Sequence, residues 1–173
     1  MIETERTILV PFNGKHYQAI FDKNWVELQN LLNTTTAQKW TEFDAAEQAT
    51  ESLYTIYLGL NGDSRWGSYF VISRECRELL GTCGFKGAPG QDSFVEVGYE
   101  INPKFQRKGF ATEVVRALIS FSLTEGIKGI LAHTLPEENA SVKVLRNCGF
   151  SFAGEITDPE DGPVWKWLLL ANG

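Results

Sequence analysis

The sequence has few of the residues that build metal centres and disulfide frameworks. Its 173 residues include three cysteines and two histidines, and Cys76, Cys83 and Cys148 form no Cys-x-x-Cys pair. A chain with so few ligands at these spacings is not expected to hold a structural zinc ion. We therefore expect no metal in the site and expect the thiols to be reduced.

Long apolar runs and an excess of positive charge are also missing. No stretch approaches the roughly 18–20 apolar residues that a membrane span needs, and Glu3 and Glu5 lie where a secretory signal would be apolar. The net charge is −6, whereas nucleic-acid binding relies on excess lysine and arginine. These features predict a cytoplasmic protein that binds neither membranes nor nucleic acid. An acidic chain suits a cationic partner such as an amine.

Apolar periodicity predicts a mixed α/β architecture, and residues 1–173 form a single domain because no repeat, low-complexity segment or linker divides them. About seven strands are predicted, at residues 7–11, 66–73, 78–86, 94–101, 127–134, 150–156 and 164–170. About four helices are predicted, at residues 17–32, 43–60, 111–126 and 139–148, with a capping signal at residues 41–44. The helix between strands 94–101 and 127–134 makes them parallel neighbours, in a central sheet expected to be mostly antiparallel.

The most informative stretch is a basic, glycine-containing turn between a strand and a helix. It consists of Gln106, Arg107, Lys108, Gly109, Phe110 and Ala111. The first N–H groups of a helix lack partners and carry partial positive charge, so that an anion such as phosphate binds there. Gly109 lets an oxygen approach the backbone, and Arg107 and Lys108 add positive charge. The same spacing also occurs where a helix simply follows a basic surface loop.

Other glycine patterns do not form nucleotide motifs. Gly14-Lys15-His16 lacks the upstream glycine and the following Ser or Thr of a P-loop. Four further glycines recur at every third position, namely Gly81, Gly84, Gly87 and Gly90. Their spacing does not match the dinucleotide-binding fingerprint, and we interpret them as a glycine-rich hairpin.

Three segments together resemble one known family. The Gln-x-x-Gly-x-Ala string at 106–111, after the Gly98-Tyr99 strand, resembles the acetyl-CoA signature of the GNAT N-acetyltransferase superfamily. Residues 139–150, with Asn139, Ser141 and the Gly149-Phe150 pair, are similar to a helix of the branch that includes the ribosomal-protein-alanine N-acetyltransferases. Residues 3–9 resemble that branch's first strand. The likeness covers nearly the whole chain and is most specific between residues 96 and 150.

The resemblance implies direct transfer of an acetyl group from acetyl-CoA to an amine through a ternary complex. The family's two central parallel strands splay around the cofactor, and Gly98 on the first of them is the visible hint of a close backbone approach. The resemblance implies a cofactor site made of Tyr99, Ile101, Gln106, Arg107, Lys108, Gly109, Phe110, Ala111, Thr112 and Asn139. It also implies a possible homodimer, because relatives commonly form dimers.

Ser141 is the residue that the resemblance assigns to protonating the departing thiolate. Many other GNAT branches use a tyrosine one turn later, where this chain has Leu145. Serine at this position could equally cap the helix. The branch's asparagine lies three residues before the serine, where this chain has Glu138, so that either Glu138 or Asn139 could take its role.

The residue that removes the amine proton is less determined. Glu96 is the first candidate, because it lies on the central strand beside the expected reaction centre. His133 is chemically apt, although a histidine in such a position is more often a structural strand residue. The other acidic candidates could all be solvated charges: Glu100, Glu155, Asp158, Glu160 and Asp161.

The acceptor is the least specified partner. The resemblance favours a protein N-terminal amine or a small amine, with a polyamine, amino-sugar or antibiotic acetylase as the alternative enzyme. A CoA-binding sensor without turnover is the alternative of another class. Several aromatic residues lie in segments that wall the acceptor site in relatives, although aromatic residues at helical spacing are usually part of a core: Trp25, Trp40, Tyr54, Tyr57 and Trp66.

Overall fold

The computed structural model describes residues 1–35, 46–159 and 162–171. Its strands are β1 (Ile2–Glu3), β2 (Thr7–Pro11), β3 (Ser68–Ser73), β4 (Leu79–Phe85), β5 (Phe94–Ile101), β6 (Gly129–Thr134), β7 (Ser151–Asp158) and β8 (Gly162–Leu170). Its helices are α1 (Gly14–Phe21), α2 (Trp25–Leu32), α3 (Ala46–Gly59), α4 (Phe110–Thr124) and α5 (Ala140–Asn147). The capping signal at residues 41–44 lies outside the described residues.

The strands form one mixed sheet in the order β1-β2-β3-β4-β5-β6-β8-β7. All neighbours run antiparallel except β5 and β6, which run parallel and are connected through α4. A parallel pair needs such a crossover, whereas a short turn suffices for an antiparallel pair. The predicted mixed α/β class, with two parallel strands at its centre, is confirmed.

Helices cover the two faces of the sheet. Val114 and Leu118 of α4 and Leu145 of α5 are buried against strand residues such as Val71 on one face. On the other face, α1 and α2 pack against Phe70 and its alternate neighbours, with α3 beside them. Alternate residues of β3 therefore point into two different cores, as the period of a strand requires. No helix among the described residues is long and apolar enough to span a membrane.

The predicted helix at residues 17–32 is wrong in one respect, since it is two helices. Lys23 adopts a left-handed conformation with φ 53°, which ends α1. The side chain of Asn24 then accepts a hydrogen bond from the N–H of Glu27 at 3.1 Å and caps α2. Together with the short strand β1, which pairs with β2, this split explains why eight strands and five helices are described instead of about seven and four.

The glycine-rich hairpin is only partly as predicted. Gly87 lies in the connection between β4 and β5, whereas Gly81 and Gly84 lie inside β4. A Cβ on Gly84 would overlap the carbonyl oxygen of Gly67, and one on Gly81 would overlap that of Glu100. These two glycines therefore allow neighbouring backbone to approach β4 closely.

Candidate active site

The parallel strands separate at the centre of the sheet. Their pairing covers three residues of each strand and ends at Glu96 and Leu131. Both strands continue beyond that point, β5 to Ile101 and β6 to Thr134. β5 keeps its pairing with β4 as far as Ile101, and β6 keeps its pairing with β8. We call this opening the fork. Backbone groups that face it are not used by a β5–β6 ladder and can bind a ligand.

The turn before α4 presents unpaired backbone N–H groups. Gly109 is the residue before the helix, has φ 82° and makes no side-chain cap. Arg107 is also left-handed, with φ 59°. The backbone N–H groups at the start of this 15-residue helix lie at the positive end of its dipole, which suits an anion.

The side chain of Gln106 connects this turn to the end of β5. Its Nε2 donates to the carbonyl oxygen of Ile101 at 2.8 Å. Arg107 and Lys108 are exposed. Gln106 therefore fixes the turn beside the fork, while the two basic side chains are accessible to an anion.

The N-terminal segment holds the same turn from its other side. Glu113 on α4 accepts hydrogen bonds from the Thr4 hydroxyl at 2.6 Å and from the backbone N–H and Nε of Arg6 at 2.9 and 2.6 Å. Arg6 also donates through Nη1 to the carbonyl oxygen of Lys108 at 2.9 Å. We call Thr4, Arg6 and Glu113 the clamp. Burial alone would raise the pKa of Glu113, but the donors from Thr4 and Arg6 outweigh it and hold the pKa below its usual value.

A groove of about 1050 Å³ runs between the N-terminal segment and α4. Residues 1–6 line one wall and exposed positions of α4, such as Arg116 and Ser120, line the other. It reaches the turn only at Gly109. The fork, and not this groove, lies between the residues that can carry out chemistry.

The start of α5 lies on the same side of the sheet as α4. Asn139 caps α5 by accepting a hydrogen bond from the N–H of Val142 at 3.0 Å. The Tyr99 hydroxyl donates to the carbonyl oxygen of Ser141 at 3.1 Å, and burial raises the pKa of that hydroxyl. The structure therefore brings Tyr99 and Ser141 together beside the fork.

Glu138 does not take the position of a second capping residue. Its carboxylate accepts two hydrogen bonds from Arg146, at 2.7 and 2.8 Å, and these lower its pKa. Between the two candidates for the family's asparagine, Asn139 is the one whose side chain binds the backbone at the start of α5.

Glu96 and Tyr99 are three positions apart in β5. Because successive side chains of a strand point to opposite faces, the two lie on opposite faces of the sheet. Its Oε1 is 2.9 Å from Nδ1 of His133 and 2.7 Å from Nζ of Lys86. We call Lys86, Glu96 and His133 the Glu96 cluster. Nε2 of His133 is shielded from solvent and has no hydrogen-bond partner among the described residues.

The remaining predicted acidic candidates are less well placed. Glu100 is on the same face of β5 as Glu96. Glu155 is exposed on β7 and accepts a hydrogen bond from Trp165 at 3.3 Å, and Asp158 is the last residue of β7. Glu160 and Asp161 lie outside the described residues.

Most of the aromatic residues singled out in the sequence belong to the cores. Trp66 packs edge-on against Phe85, and Tyr54 and Tyr57 contact the ring of Tyr17. Trp25 packs against the second core, whereas Trp40 lies outside the described part of the chain.

Sequence reasoning missed the clamp and the pairing of Glu96 with Lys86 and His133. Glu113 lies 107 positions from Arg6 and 109 from Thr4 in the chain, and no local pattern connects them. Strand alternation could have placed Glu96 and His133 on one face, but only the β5–β6 register makes them neighbours. No group of three or more side chains that could bind a metal ion is found among the described residues.

Comparison with known proteins identifies the family. Residues 6–151 match the acetyltransferase (GNAT) domain. The chain is 32% identical over 122 residues to the uncharacterized N-acetyltransferase p20 of Bacillus licheniformis, covering 69% of this chain and 67% of that protein. It is 30% identical over 164 residues to the uncharacterized N-acetyltransferase YoaA of Bacillus subtilis (strain 168), covering 90% and 85%.

Solved structures share the fold at lower identity. RimL, a ribosomal L7/L12 alpha-N-protein acetyltransferase in complex with coenzyme A, superposes with a TM-score of 0.69 at 17% identity, covering 96% of this chain and 95% of that chain. Spermidine N-acetyltransferase from Vibrio cholerae, in complex with CoA and spermine, gives a TM-score of 0.65 at 18% identity and covers 96% of each chain. The family match spans the turn before α4 and the start of α5, two of the three segments that carried the resemblance. The chain therefore belongs to the GNAT family of acetyltransferases.

Proposed function

We propose that this protein transfers the acetyl group of acetyl-CoA to a primary amine by direct attack within a ternary complex. The observation that carries the proposal is the fork, which opens beside the unpaired N–H groups at the start of α4. Membership of the GNAT family and similarity to two proteins named as N-acetyltransferases support it.

The turn before α4 fits the pyrophosphate of CoA. Backbone N–H groups from Gly109 to Thr112 have no intrahelical acceptors and lie at the positive end of the helix dipole. Gly109 carries no Cβ and has a conformation that other residues rarely adopt. Arg107 and Lys108 add positive charge at the same place. We assign these residues to holding the diphosphate.

The acyl-carrying end of CoA then reaches the fork past the residues that surround it on the α4 and α5 side. Tyr99 and Ile101 border the fork on β5, and Asn139 lies at the start of α5. Backbone N–H groups of β5 that face the fork would polarise the thioester carbonyl. Phe110 and Ala111, in the first turn of α4, would contact the arm of the cofactor.

Transfer needs one bond to form and one to break. The nitrogen lone pair of a neutral amine forms a bond to the carbonyl carbon, the carbon–sulfur bond breaks, and the sulfur leaves as a thiolate. We assign protonation of that thiolate to the Ser141 hydroxyl, because Ser141 lies in the first turn of α5 and contacts Tyr99 beside the fork.

An α-amine is the acceptor with the larger neutral fraction near neutral pH, and only the neutral amine can attack the thioester. A lysine amine with a pKa of about 10.4 is neutral in roughly one molecule per thousand near pH 7.4. An α-amine with a pKa of about 7.7–8.0 is neutral in roughly a fifth to a third of molecules at that pH. The net charge of −6 suits cationic acceptors of either kind. We therefore propose a peptide N-terminus as the acceptor, with a small amine such as a polyamine as the second candidate. Homodimer formation and cytoplasmic location stay predictions.

Thiol release from acetyl-CoA tests the function. The panel contains peptides with a free N-terminus, the same peptides with a blocked N-terminus and one lysine, spermidine, and an amino sugar. We expect acceptor-dependent release with at least one amine, and faster release with free than with blocked peptides. Binding of CoA without release by any amine would contradict the proposal and favour a CoA sensor.

A further inference from the structure

We propose that His133 takes the proton from the acceptor amine and that Glu96 positions its imidazole ring. The inference rests on the proposed function and names the base that this function leaves open. Glu96, the first candidate from the sequence, thereby becomes a positioning residue.

The Glu96 cluster lies where the sheet opens. Glu96 is the last residue of β5 that pairs with β6, and His133 lies two residues beyond Leu131, the partner of Glu96. The 2.9 Å contact between Oε1 of Glu96 and Nδ1 of His133 therefore joins the two strands at the base of the fork. Tyr99 and Ser141 approach the fork from the opposite face, so that a thioester held between the strands would have the acid on one side and the imidazole on the other.

The contact with Glu96 determines which nitrogen of His133 can accept a proton. An ionised carboxylate only accepts hydrogen bonds, so Nδ1 must be the protonated nitrogen and Nε2 must carry the lone pair. The Lys86 ammonium group lies 2.7 Å from the same carboxylate oxygen and forms an ion pair with it. This arrangement holds the imidazole in the tautomer of a base.

Nε2 of His133 is otherwise unexplained. Buried polar atoms without a partner are uncommon in folded proteins, and each calls for a bound group, a water molecule or a catalytic role to explain it. An incoming amine, or one water molecule bound to it, would donate the missing hydrogen bond and then the proton.

Glu96 is poorly suited to be the base itself. Its Oε1 already receives contacts from His133 and Lys86. A proton on either oxygen of this carboxylate would remove the negative charge that pairs with the Lys86 ammonium group. When His133 accepts a proton instead, both contacts remain and the carboxylate stabilises the imidazolium that forms.

The proton balance of the step is complete. As the C–N bond forms and the C–S bond breaks, one proton leaves the amine nitrogen for Nε2 of His133. The thiolate takes a proton from the Ser141 hydroxyl, and the proton on His133 returns through solvent to that oxygen. The net change moves one proton from the amine to the thiol.

Other charged groups lie near His133 or share its face of the sheet. Glu96 lies on β5 and Lys86 follows β4. Lys166 of β8 is directly opposite His133 in the antiparallel ladder and shares its face. Glu100 lies further along the same face of β5.

The decisive variant is His133→Asn, because the asparagine amide can still donate to Glu96 but has no counterpart of Nε2. We expect kcat to fall by about 100-fold, while the Kd for CoA and the thermal unfolding midpoint stay close to those of the wild type. Glu96→Gln can present an NH₂ group to Nδ1 and reverse the tautomer, and we expect a comparable loss of kcat. Lys128→Gln, an exposed change just before β6, is the control.

The pH dependence of kcat/KM distinguishes a His133 that acts as a base from a His133 that only connects β5 and β6. Dividing kcat/KM of the wild type by that of His133→Asn cancels the titration of the acceptor amine. We expect the ratio to be large at high pH and to fall towards one as the imidazole becomes protonated at low pH. Free imidazole should partly restore the turnover of His133→Ala.

Nuclear magnetic resonance of ¹⁵N-labelled histidine tests the tautomer in the unaltered protein. The chain has two histidines, and His16 is an internal reference: its Nδ1 accepts from the N–H of Asn13 at 3.2 Å, and burial lowers its pKa to about 4. The two rings should show opposite tautomers, with the proton on Nε2 in His16 and on Nδ1 in His133.

The outcomes are distinguishable. A His133→Asn variant that retains wild-type kcat and a flat pH ratio, or a proton found on Nε2 of His133 in the neutral ring, would overturn the assignment while leaving the proposed function intact. A wild-type protein that binds CoA but acetylates no amine would overturn both.

Discussion

Removing the carboxylate of Glu113 should loosen the connection between the N-terminal segment and α4. The carboxylate accepts three hydrogen bonds from Thr4 and Arg6, and its side chain is 16% exposed while that of Arg6 is 42% exposed. A hydrogen bond to a charged group contributes about 1.5–3 kcal/mol when shielded, but the exposed guanidinium contributes less than about 1 kcal/mol. We therefore expect Glu113→Ala to lower the free energy of unfolding by about 2–3 kcal/mol.

The loss should be visible in thermal unfolding. For a chain of this length, about 1 kcal/mol corresponds to roughly 2–4 °C, so that the midpoint should fall by roughly 5–10 °C at pH 7. Glu75→Gln, an exposed carboxylate change between β3 and β4, should leave the midpoint unchanged within about 1 °C.

The effect should also depend on pH with a defined sign. The pKa of Glu113 is lower in the folded protein than in the unfolded chain, so its stabilisation is complete above the unfolded pKa of about 4.3. It disappears as the pH falls through the folded pKa. The difference in unfolding midpoint between wild type and Glu113→Ala should therefore be constant from roughly pH 6 to pH 8 and shrink below about pH 4. Equal midpoints at pH 7, or a difference that persists at low pH, would refute this account of the clamp.

Three further changes test other parts of the site. Gly109→Val forces a branched residue to φ 82° and should weaken CoA binding about tenfold by calorimetry, since such strain costs about 1–3 kcal/mol; unchanged affinity would remove the turn from the cofactor site. Ser141→Ala should lower kcat by about 100-fold with little change in CoA affinity, and equal turnover would eliminate its role as the acid. Gly84→Ala should cost about 3 kcal/mol in urea unfolding because its Cβ overlaps Gly67, whereas Gly87→Ala, which meets nothing within 4 Å, should cost about 1 kcal/mol; equal costs would contradict the packing argument.

Local patterns predicted the strand and the helix between which the candidate cofactor turn lies. Period-two alternation located β5 at residues 94–101, where the structure has it. The 3.6-residue period located α4, and the glycine before it marked the turn. Each of these features depends on neighbouring residues, so the chain itself contains the information.

Features that depend on distant residues were not predictable in this way. Neither a glycine nor a proline marks the break between α1 and α2, where Lys23 adopts a left-handed conformation. The clamp and the Glu96 cluster need a strand register and a helix position that a single sequence does not encode locally. The fork itself was expected only from the family resemblance, since no residue pattern marks where β5 and β6 stop pairing.

The proposal that donor and acceptor meet in the fork is tested most directly by a crystal structure with CoA. It predicts the pyrophosphate within hydrogen-bond distance of the N–H groups that follow Gly109, and the thiol between β5 and β6, with Ser141 on one side and His133 on the other. CoA bound along the groove between the N-terminal segment and α4, with its thiol away from the fork, would contradict it.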